Sequence, residues 1–238
     1  MAEQDTGYSL ENAEEFGWGS GDLTAERREL MHKHVHGKTV LDAGCGVGGF
    51  VDYLSRRGFH ATGLEKHDFF LAAAREKNFR GDFVRGDLAS TLPFRDGAFD
   101  TTICLDVLEH VENDANTIRE LARVTRQRLV IAVPQEDKWM PSYNLIFYPY
   151  RDPTHLRYYT RESLGALVAG SWAARVDVFG EYPIKLQQLA EDLLVPRAKK
   201  PGLSPIYRKL FRFLVNRTGP PTLFMNLVAV VDLRSATS

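Results

Sequence analysis

The sequence predicts an α/β protein with a doubly wound, mostly parallel sheet, and two observations support this fold class. Short apolar segments of strand composition alternate with amphipathic segments of helical period through the first two thirds of the chain. This alternation is typical of right-handed βαβ units with helices on both faces of one sheet. The closing segment TLFMNLVAVVDL has strand composition with no helix after it, so we expect it to pair antiparallel with its neighbour.

Each element has its own local signal. The predicted strands before the closing one are KTVLDA, HATGLE, DFVRGD, FDTTICLD, RLVIAVP and ARVDVFG. The predicted helices are GGFVDYLSRRG, DFFLAAAREK, NDANTIRELARVTR and RESLGALVAGSW. Gly58 closes the first of these helices, and Asp68 is the expected N-cap of the second. The third helix has an apolar face made of Ile118, Leu121, Ala122 and Val124.

Composition indicates an ordinary folded protein in a reducing compartment. The 238 residues are 44% hydrophobic and 26% charged, which is enough for a sizeable core. A net charge of −1 gives no overall attraction to nucleic acid or membrane. Two cysteines, Cys45 and Cys104, do not suggest a disulfide framework. The start MAEQDTGYSL is unlike a signal peptide and no apolar run is long enough to span a bilayer, so we expect a cytoplasmic location.

Segments outside the alternation define the expected organisation. Residues 1–38 are predicted to form an N-terminal cap segment, and residues 39–238 the main domain. Within that domain, residues 135–160 form a Pro-punctuated, aromatic loop that we predict to be a substrate lid. Residues 181–221 are predicted to be a helical insertion. In residues 206–217 bases alternate with Leu and Phe, which leaves peripheral membrane contact open beside an ordinary solvated face.

The stretch VLDAGCGVGGF contains a Gly-rich turn that fits two ligands. Gly44, Gly46 and Gly49 have the spacing of a dinucleotide-binding turn between a strand and a helix. Glu65 ends the second strand, 19 residues after Gly46, where a carboxylate can accept hydrogen bonds from ribose hydroxyls. Both NAD and S-adenosylmethionine (SAM) contain such a ribose, so these residues alone do not separate the two ligands.

Two further acids favour a cationic ligand over a dinucleotide. Asp42 lies directly before the glycines, where its carboxylate would repel a pyrophosphate and attract an amino group or a sulfonium. Asp87 ends the third strand, where an adenine amino group would be recognised. The chain contains one Gly-Lys-Thr, at residues 37–39, but position 32 is a histidine where a P-loop requires its first glycine, which excludes a P-loop.

The ordered series of motifs resembles class I SAM-dependent methyltransferases. The similarity runs almost continuously over residues 39–134, through VLDAGCGVGGF, GLE and GDLASTLPFRDGAFDTTICLDVLEHVEND, and resumes at HLRYYTRESLGALV. It implies a Rossmann-like sheet of seven strands with an antiparallel last strand, and SAM as the cofactor. One departure is that RVTRQRLVIAVP lacks the Pro-Gly-Gly-like turn common before the fifth strand, at a point distant from the cofactor.

The resemblance also implies roles for individual residues. The predicted cofactor-binding residues are Asp42, Gly44, Cys45, Gly46, Glu65, Lys66, Asp87, Leu88 and Leu105. The acid and glycines of the first turn would line the methionine part of SAM. The acid that ends the second strand would hold the ribose, and the pair after the third strand would hold the adenine. Cys45 itself is expected to be a small buried thiol and not a nucleophile.

The expected reaction is direct displacement at the methyl group of SAM, and an oxygen acceptor must lose its proton. His155 is the first candidate for the general base, because imidazole titrates near neutral pH. The alternative for His155 is a hydrogen bond that ties its loop to the sheet edge. His110 and Asp106 are the other predicted catalytic residues, and Asp106 is expected near the transfer site.

No metal site is predicted. Glu109, His110 and Glu112 in LEHVEND offer ligand atoms, but helix initiation with a partly buried histidine explains this segment more simply. The alternating histidines in residues 32–36 have no further ligand after them, so they are interpreted as a polar stretch.

The function that these predictions favour is O-methylation of a small molecule such as a sugar, glycolipid or secondary metabolite. One alternative is methylation of a lipid or quinone intermediate at the membrane surface, and another is a non-catalytic SAM-binding module. A dehydrogenase is disfavoured by Asp42. No nucleic-acid partner is predicted, because bases and aromatics lie in different segments. The acceptor and the oligomeric state are left open.

Overall fold

The computed structural model describes residues 23–135, 154–184, 213 and 223–234. The helices are α1 (Ala25–His34), α2 (Gly49–Arg56), α3 (Asp68–Glu76), α4 (Asp114–Val124) and α5 (Arg161–Val168), with a 3-10 helix at Leu108–His110. The strands are β1 (Thr39–Ala43), β2 (His60–Glu65), β3 (Asp82–Arg85), β4 (Phe99–Leu105), β5 (Thr125–Pro134), β6 (Ala173–Ile184) and β7 (Leu223–Leu233).

The seven strands form one sheet in the order β3-β2-β1-β4-β5-β7-β6. The pairs β1–β2, β2–β3, β1–β4 and β4–β5 are parallel, and the last strands are antiparallel. The predicted fold class is therefore confirmed. The strand order reverses between β1 and β4, and in open α/β sheets this switch is where ligands bind, at the carboxyl ends of the strands.

Buried side chains form a core on each face of the sheet, because successive strand residues point to opposite faces. One cluster contains Leu41 and Cys104 together with the inner faces of α4 and α5. The other contains Val40 and Ile103 together with residues of α1 and α2. All four predicted inward residues of α4 are buried, which confirms the helical period assigned to that segment.

Local boundaries differ from the predictions at two places. The N-cap of α3 is His67, and Asp68 is instead the first helical residue, so the predicted N-cap is wrong by one position. Strand β6 continues to Ile184, past the predicted start of the insertion at residue 181. The predicted departure before the fifth strand is observed, since α4 ends at Val124 and β5 begins at Thr125.

The chain divides into two compact units, one of Met1–Phe179 with Leu227–Ser238 and one of Gly180–Asn226. The predicted lid at residues 135–160 is described only at residue 135 and at residues 154–160. Most of the predicted insertion, including nearly all of residues 206–217, lies outside the described residues. Among the helices that the structure describes, none combines the length and the apolar character needed to cross a membrane.

Candidate cofactor site and catalytic cluster

The Gly-rich turn after β1 is held against β2 by its backbone. The N–H groups of Gly44 and Cys45 both donate to the carbonyl of Leu64, at 2.8 and 3.0 Å. Gly44 has a φ of 85°, and a Cβ at this position would approach Cγ2 of Val107 to 2.6 Å. Gly46 has a φ of 51°, and a Cβ there would meet nothing within 4 Å. Gly44 is therefore required by internal packing, whereas Gly46 leaves open space that a ligand can enter.

Asp42 is the most perturbed acid at this edge of the sheet. Its residue is 3% exposed, and among the described residues its Oδ2 has no hydrogen-bond partner. Burial, and then repulsion from Glu65, raises the pKa of Asp42 to about 8. A buried carboxyl of this kind is costly to ionise without a positive partner, and such groups are concentrated at functional sites.

Glu65 connects the first two loops of the site. Its Oε2 accepts a hydrogen bond from the backbone N–H of Gly46 at 3.0 Å, and its Oε1 accepts one from the N–H of His67 at 2.9 Å. These bonds hold the carboxylate at the end of β2, beside the Gly-rich turn. Each carboxylate oxygen has a second lone pair, so the same group can also accept bonds from ribose hydroxyls.

The remaining predicted cofactor residues lie in different environments. Asp87 is exposed, and its Oδ1 accepts a bond from the N–H of Ala89 at 2.9 Å. Leu88 is buried in a core cluster, so its side chain faces the core. Leu105 lies in the other cluster at the end of β4, and Lys66 is exposed.

Cys45 faces the core, as predicted for a buried thiol. Its Sγ would lie 2.6 Å from a Cβ built on Gly63 of β2, so only a glycine fits opposite it. Burial, followed by the charges of Asp42 and Glu65, raises the pKa of the Cys45 thiol well above its usual range. The thiol therefore stays protonated, and a contact of this residue with a ligand would have to use its backbone.

Asp106, directly after β4, has a partner that the sequence did not indicate. Its Oδ2 accepts a hydrogen bond from Nη2 of Arg27 on α1 at 2.8 Å. Arg27 is 5% exposed, and Asp106 has a φ of 57°, in the left-handed region that non-glycine residues seldom adopt. The two residues are 79 positions apart, and only the folded packing of α1 reveals the pair. Arg27 is therefore an additional residue of the candidate site.

The structure brings the two predicted catalytic histidines together. The rings of His110 and His155 are 4.6 Å apart between centroids in an edge-to-face arrangement. Nδ1 of His110 lies 3.2 Å from the carbonyl oxygen of Thr154 and 3.0 Å from its Oγ1. Glu109 joins this cluster, because one ligand atom from each of Glu109, His110 and His155 lies within 4.8 Å of the others. Glu112, which the sequence grouped with His110, is exposed and is not part of it.

Comparison with known proteins identifies the domain. Residues 41–132 match the family model described as a methyltransferase domain. The chain is 34% identical over 94 residues to a ubiquinone biosynthesis O-methyltransferase of Hahella chejuensis, a match that covers 38% of this chain and 40% of that protein. It is 35% identical over 74 residues to an 18S rRNA (guanine-N(7))-methyltransferase of Bos taurus, covering 31% of this chain and 26% of that protein. The matches thus span less than half the length of these relatives.

A solved structure supports the same fold over most of the chain. A SAM-dependent methyltransferase from Archaeoglobus fulgidus superposes with a TM-score of 0.62 at 18% identity, covering 87% of this chain and 91% of that one. Residues 41–132 are therefore similar to a methyltransferase domain, and the solved structure supports the fold. This similarity agrees with the methyltransferase family and with the SAM cofactor that the sequence predicted for this domain.

Proposed function

We propose that the chain transfers the methyl group of SAM to an oxygen atom of a small molecule. The observation that supports this most is the buried carboxyl of Asp42, whose pKa is raised first by burial and then by repulsion from Glu65. A positively charged ligand relieves this repulsion, whereas a pyrophosphate would add to it. The site residues therefore fit SAM, which has both an ammonium and a sulfonium group, better than they fit NAD.

In this proposal the side chains at the ends of β1 and β2 bind different parts of the cofactor. Asp42 pairs with its positive charge, Glu65 holds the ribose, and the open space at Gly46 lets the backbone approach the ligand. Asp87 and the backbone of Leu88 hold the adenine. SAM supplies an activated methyl group, so the protein mainly has to align the acceptor with that group and exclude water.

The acceptor side of the site is proposed to lie beyond β4. Arg27 holds the carboxylate of Asp106 through a hydrogen bond of 2.8 Å, and this fixed orientation suits a positioning role. The cluster of Glu109, His110 and His155 would receive the acceptor hydroxyl, and His155 is the first candidate to take its proton. If His155→Ala kept full turnover at saturating acceptor, this role of His155 would be refuted.

A small acceptor is favoured over a macromolecule. The chain is similar to an enzyme named for O-methylation in ubiquinone biosynthesis, which also supports a quinone or lipid intermediate as the second candidate. That candidate would use residues 206–217 for contact with a membrane surface. The similarity to an rRNA methyltransferase makes RNA the competing acceptor. A net charge of −1 gives no broad attraction to a polyanion.

Cofactor binding is tested by calorimetric titration of the full chain with S-adenosylhomocysteine, with NAD as the competing ligand. We expect micromolar binding of S-adenosylhomocysteine, a loss of at least about tenfold in affinity in Glu65→Ala and Asp42→Asn, and no binding of NAD. Asp177→Asn, an exposed acid on β6, is the matched control and should bind like the wild type. Binding of NAD instead would refute the proposal.

The acceptor class is tested by release of S-adenosylhomocysteine from SAM. Hydroxylated small molecules, quinols in anionic vesicles, and transcribed RNA form three arms of one screen. Turnover with hydroxylated small molecules supports O-methylation of a small molecule. Turnover only with quinols in vesicles supports a quinone or lipid intermediate as the acceptor. Turnover only with RNA contradicts both. Binding of S-adenosylhomocysteine with no turnover in any arm would favour a non-catalytic SAM-binding module.

A further inference from the structure

Three side chains that are ordinary metal ligands converge beside the end of β4. Glu109 is fully buried, His110 and His155 are half-buried, and one ligand atom of each lies within 4.8 Å of the other two. In the part of the chain that the structure describes, this is the one group of three acidic, histidine or cysteine residues with such spacing. Its members come from two segments that are far apart in sequence.

Backbone hydrogen bonds fix these two segments against each other. The N–H of Leu156 donates to the carbonyl of Glu109 at 2.8 Å. The guanidinium of Arg157 donates to the carbonyls of Val111 and Glu112, the second at 2.7 Å. Residue 155 is therefore held directly beside the 3-10 helix by its own neighbours. The three side chains start from a backbone that is already positioned, which lowers the entropy cost of binding an ion.

The contacts of His110 with Thr154 are compatible with a tautomer that binds metal. A carbonyl oxygen only accepts, so the 3.2 Å contact of Nδ1 of His110 with the carbonyl of Thr154 favours the tautomer with the proton on Nδ1, and the Thr154 hydroxyl at 3.0 Å can accept from the same N–H. The lone pair of the neutral ring then lies on Nε2. Histidines that bind metals commonly donate their other N–H to a backbone carbonyl in this way, which fixes the ring orientation.

We propose that Glu109, His110 and His155 bind a divalent transition-metal cation, with Zn²⁺, Mn²⁺, Fe²⁺ and Co²⁺ as the chemical class. Two imidazole nitrogens and one carboxylate match the preferences of these ions, whereas Mg²⁺ and Ca²⁺ favour oxygen ligands throughout. Metal–ligand bonds of about 2.0–2.2 Å place neighbouring ligand atoms about 3.5 Å apart. The ligand atoms of the three residues lie within 4.8 Å of one another, so side-chain rotations that shorten these distances by about 1 Å would allow all three to bind one ion.

The described residues supply three ligands, which is the number of protein ligands in catalytic metal sites, where a further position takes water or substrate. An acceptor hydroxyl bound there would lose its proton to water more readily, and the resulting oxygen would form the new bond as the methyl group leaves the sulfur. This role rests on the proposed function, but binding of the ion does not. It also revises the part of His155, since an imidazole whose lone pair is bound to a metal cannot accept a proton.

The test is a titration of the EDTA-treated full chain with Co²⁺, followed by its visible absorption and by competition with Zn²⁺. We expect one equivalent to bind, and Glu109→Gln and His155→Gln each to weaken binding by about tenfold or more. Glu112→Gln and His60→Gln change exposed residues of the same types and should leave the affinity unchanged. Circular dichroism melts identify any variant that fails to fold. Because His155 is half-buried and Glu109 is fully buried, we expect His155→Gln to disturb folding less than Glu109→Gln.

Each outcome bears on the proposal. Absence of Co²⁺ binding up to about 1 mM, or binding that neither substitution weakens, overturns the metal site. If S-adenosylhomocysteine binds but Co²⁺ does not, the proposed function survives and this inference fails. If Co²⁺ binds at these residues but S-adenosylhomocysteine does not, the metal site stands and the proposed function fails. Full turnover of EDTA-treated protein would retain the site but remove its catalytic role.

Discussion

Replacing Asp42 with Asn should stabilise the protein without cofactor at pH 8 and weaken cofactor binding. Burial and the charge of Glu65 raise the pKa of Asp42 to about 8, against an ordinary value of 3.8. Between these values the folded state holds a proton that the unfolded state has released, so the free energy of unfolding falls as pH rises. The contribution of Asp42 is most favourable below pH 3.8, is lost progressively up to pH 8, and is constant above it.

The magnitude follows from the size of the shift. Each pH unit inside this window changes the free energy of unfolding by about 1.4 kcal/mol, so the interval from pH 5 to pH 8 corresponds to at most about 4 kcal/mol. Asn has no proton to release, and Asp42→Asn removes this dependence. For a chain of this size about 1 kcal/mol corresponds to 2–4 °C in Tm. The difference in Tm between Asp42→Asn and the wild type should therefore be about 8–16 °C larger at pH 8 than at pH 5, in favour of the variant.

The assay is a set of thermal melts of both proteins in parallel from pH 5 to pH 8, and Asp100→Asn is the matched control. Asp100 is also buried, which by itself raises its pKa, but bonds from the backbone N–H groups of Lys38 and Thr39 outweigh burial and lower it. Stability from such a group is present above its ordinary pKa and is lost only at lower pH. Asp100→Asn should therefore destabilise the protein by about 1–3 kcal/mol equally at pH 5 and pH 8.

A parallel pH dependence of the wild type and Asp42→Asn would refute this reasoning. It would mean that Asp42 is already ionised in the folded protein, with a compensating positive partner. In the same samples, the affinity of the wild type for S-adenosylhomocysteine should rise with pH up to about pH 8, because its ammonium group favours the ionised carboxylate. Asp42→Asn should bind weakly at every pH.

Three other substitutions test the geometry of the site and its frame. Gly44→Ala, strained by its positive φ and by contact with Val107, should lower the free energy of unfolding by about 3 kcal/mol in a denaturant titration. Gly46→Ala, which has the strain without the contact, should cost only about 1 kcal/mol yet reduce S-adenosylhomocysteine affinity in calorimetry; an unchanged affinity would contradict ligand contact there. Tyr159→Phe should lower Tm by about 2–4 °C through loss of its 2.9 Å bond to Asp114, and an unchanged Tm would show that this bond adds nothing.

The sheet could be predicted from sequence because its signals are local. HATGLE has the bounds of β2, and five of its six residues are buried or half-buried, as expected of a strand with a neighbour on each side. The wrong N-cap predicted for α3 shows the limit of such local signals. Asp68 is a good local cap candidate, but Glu65 accepts the N–H of His67, and this contact between neighbouring loops fixes where the turn ends. Local propensity places an element, and packing decides its last residue.

The residues of the proposed acceptor side could be named from sequence, except Arg27, but their contacts could not be predicted because they join distant parts of the chain. Arg27 and Asp106 are 79 positions apart, and nothing in the composition of α1 singles out this arginine among its other charged residues. Similarly, Glu109 and His110 form an unremarkable helix start until residues 154–156 fold onto them. The motif itself contains Glu109 and His110 but groups them with the exposed Glu112, and their contact with His155 requires the fold.

The charges at the ends of β1 and β2 show why a protein retains a destabilising arrangement. Two carboxyl groups placed close enough to repel each other, one of them buried, lower the stability of the empty protein near neutral pH. Replacing Asp42 by a neutral residue would remove that cost, so its presence indicates a benefit in another state of the molecule. A cation bound between the two acids supplies such a state, because it favours ionisation of Asp42 while the backbone bonds of Glu65 stay in place. In the proposed function, the repulsion that destabilises the empty site would become binding energy selective for a positively charged ligand.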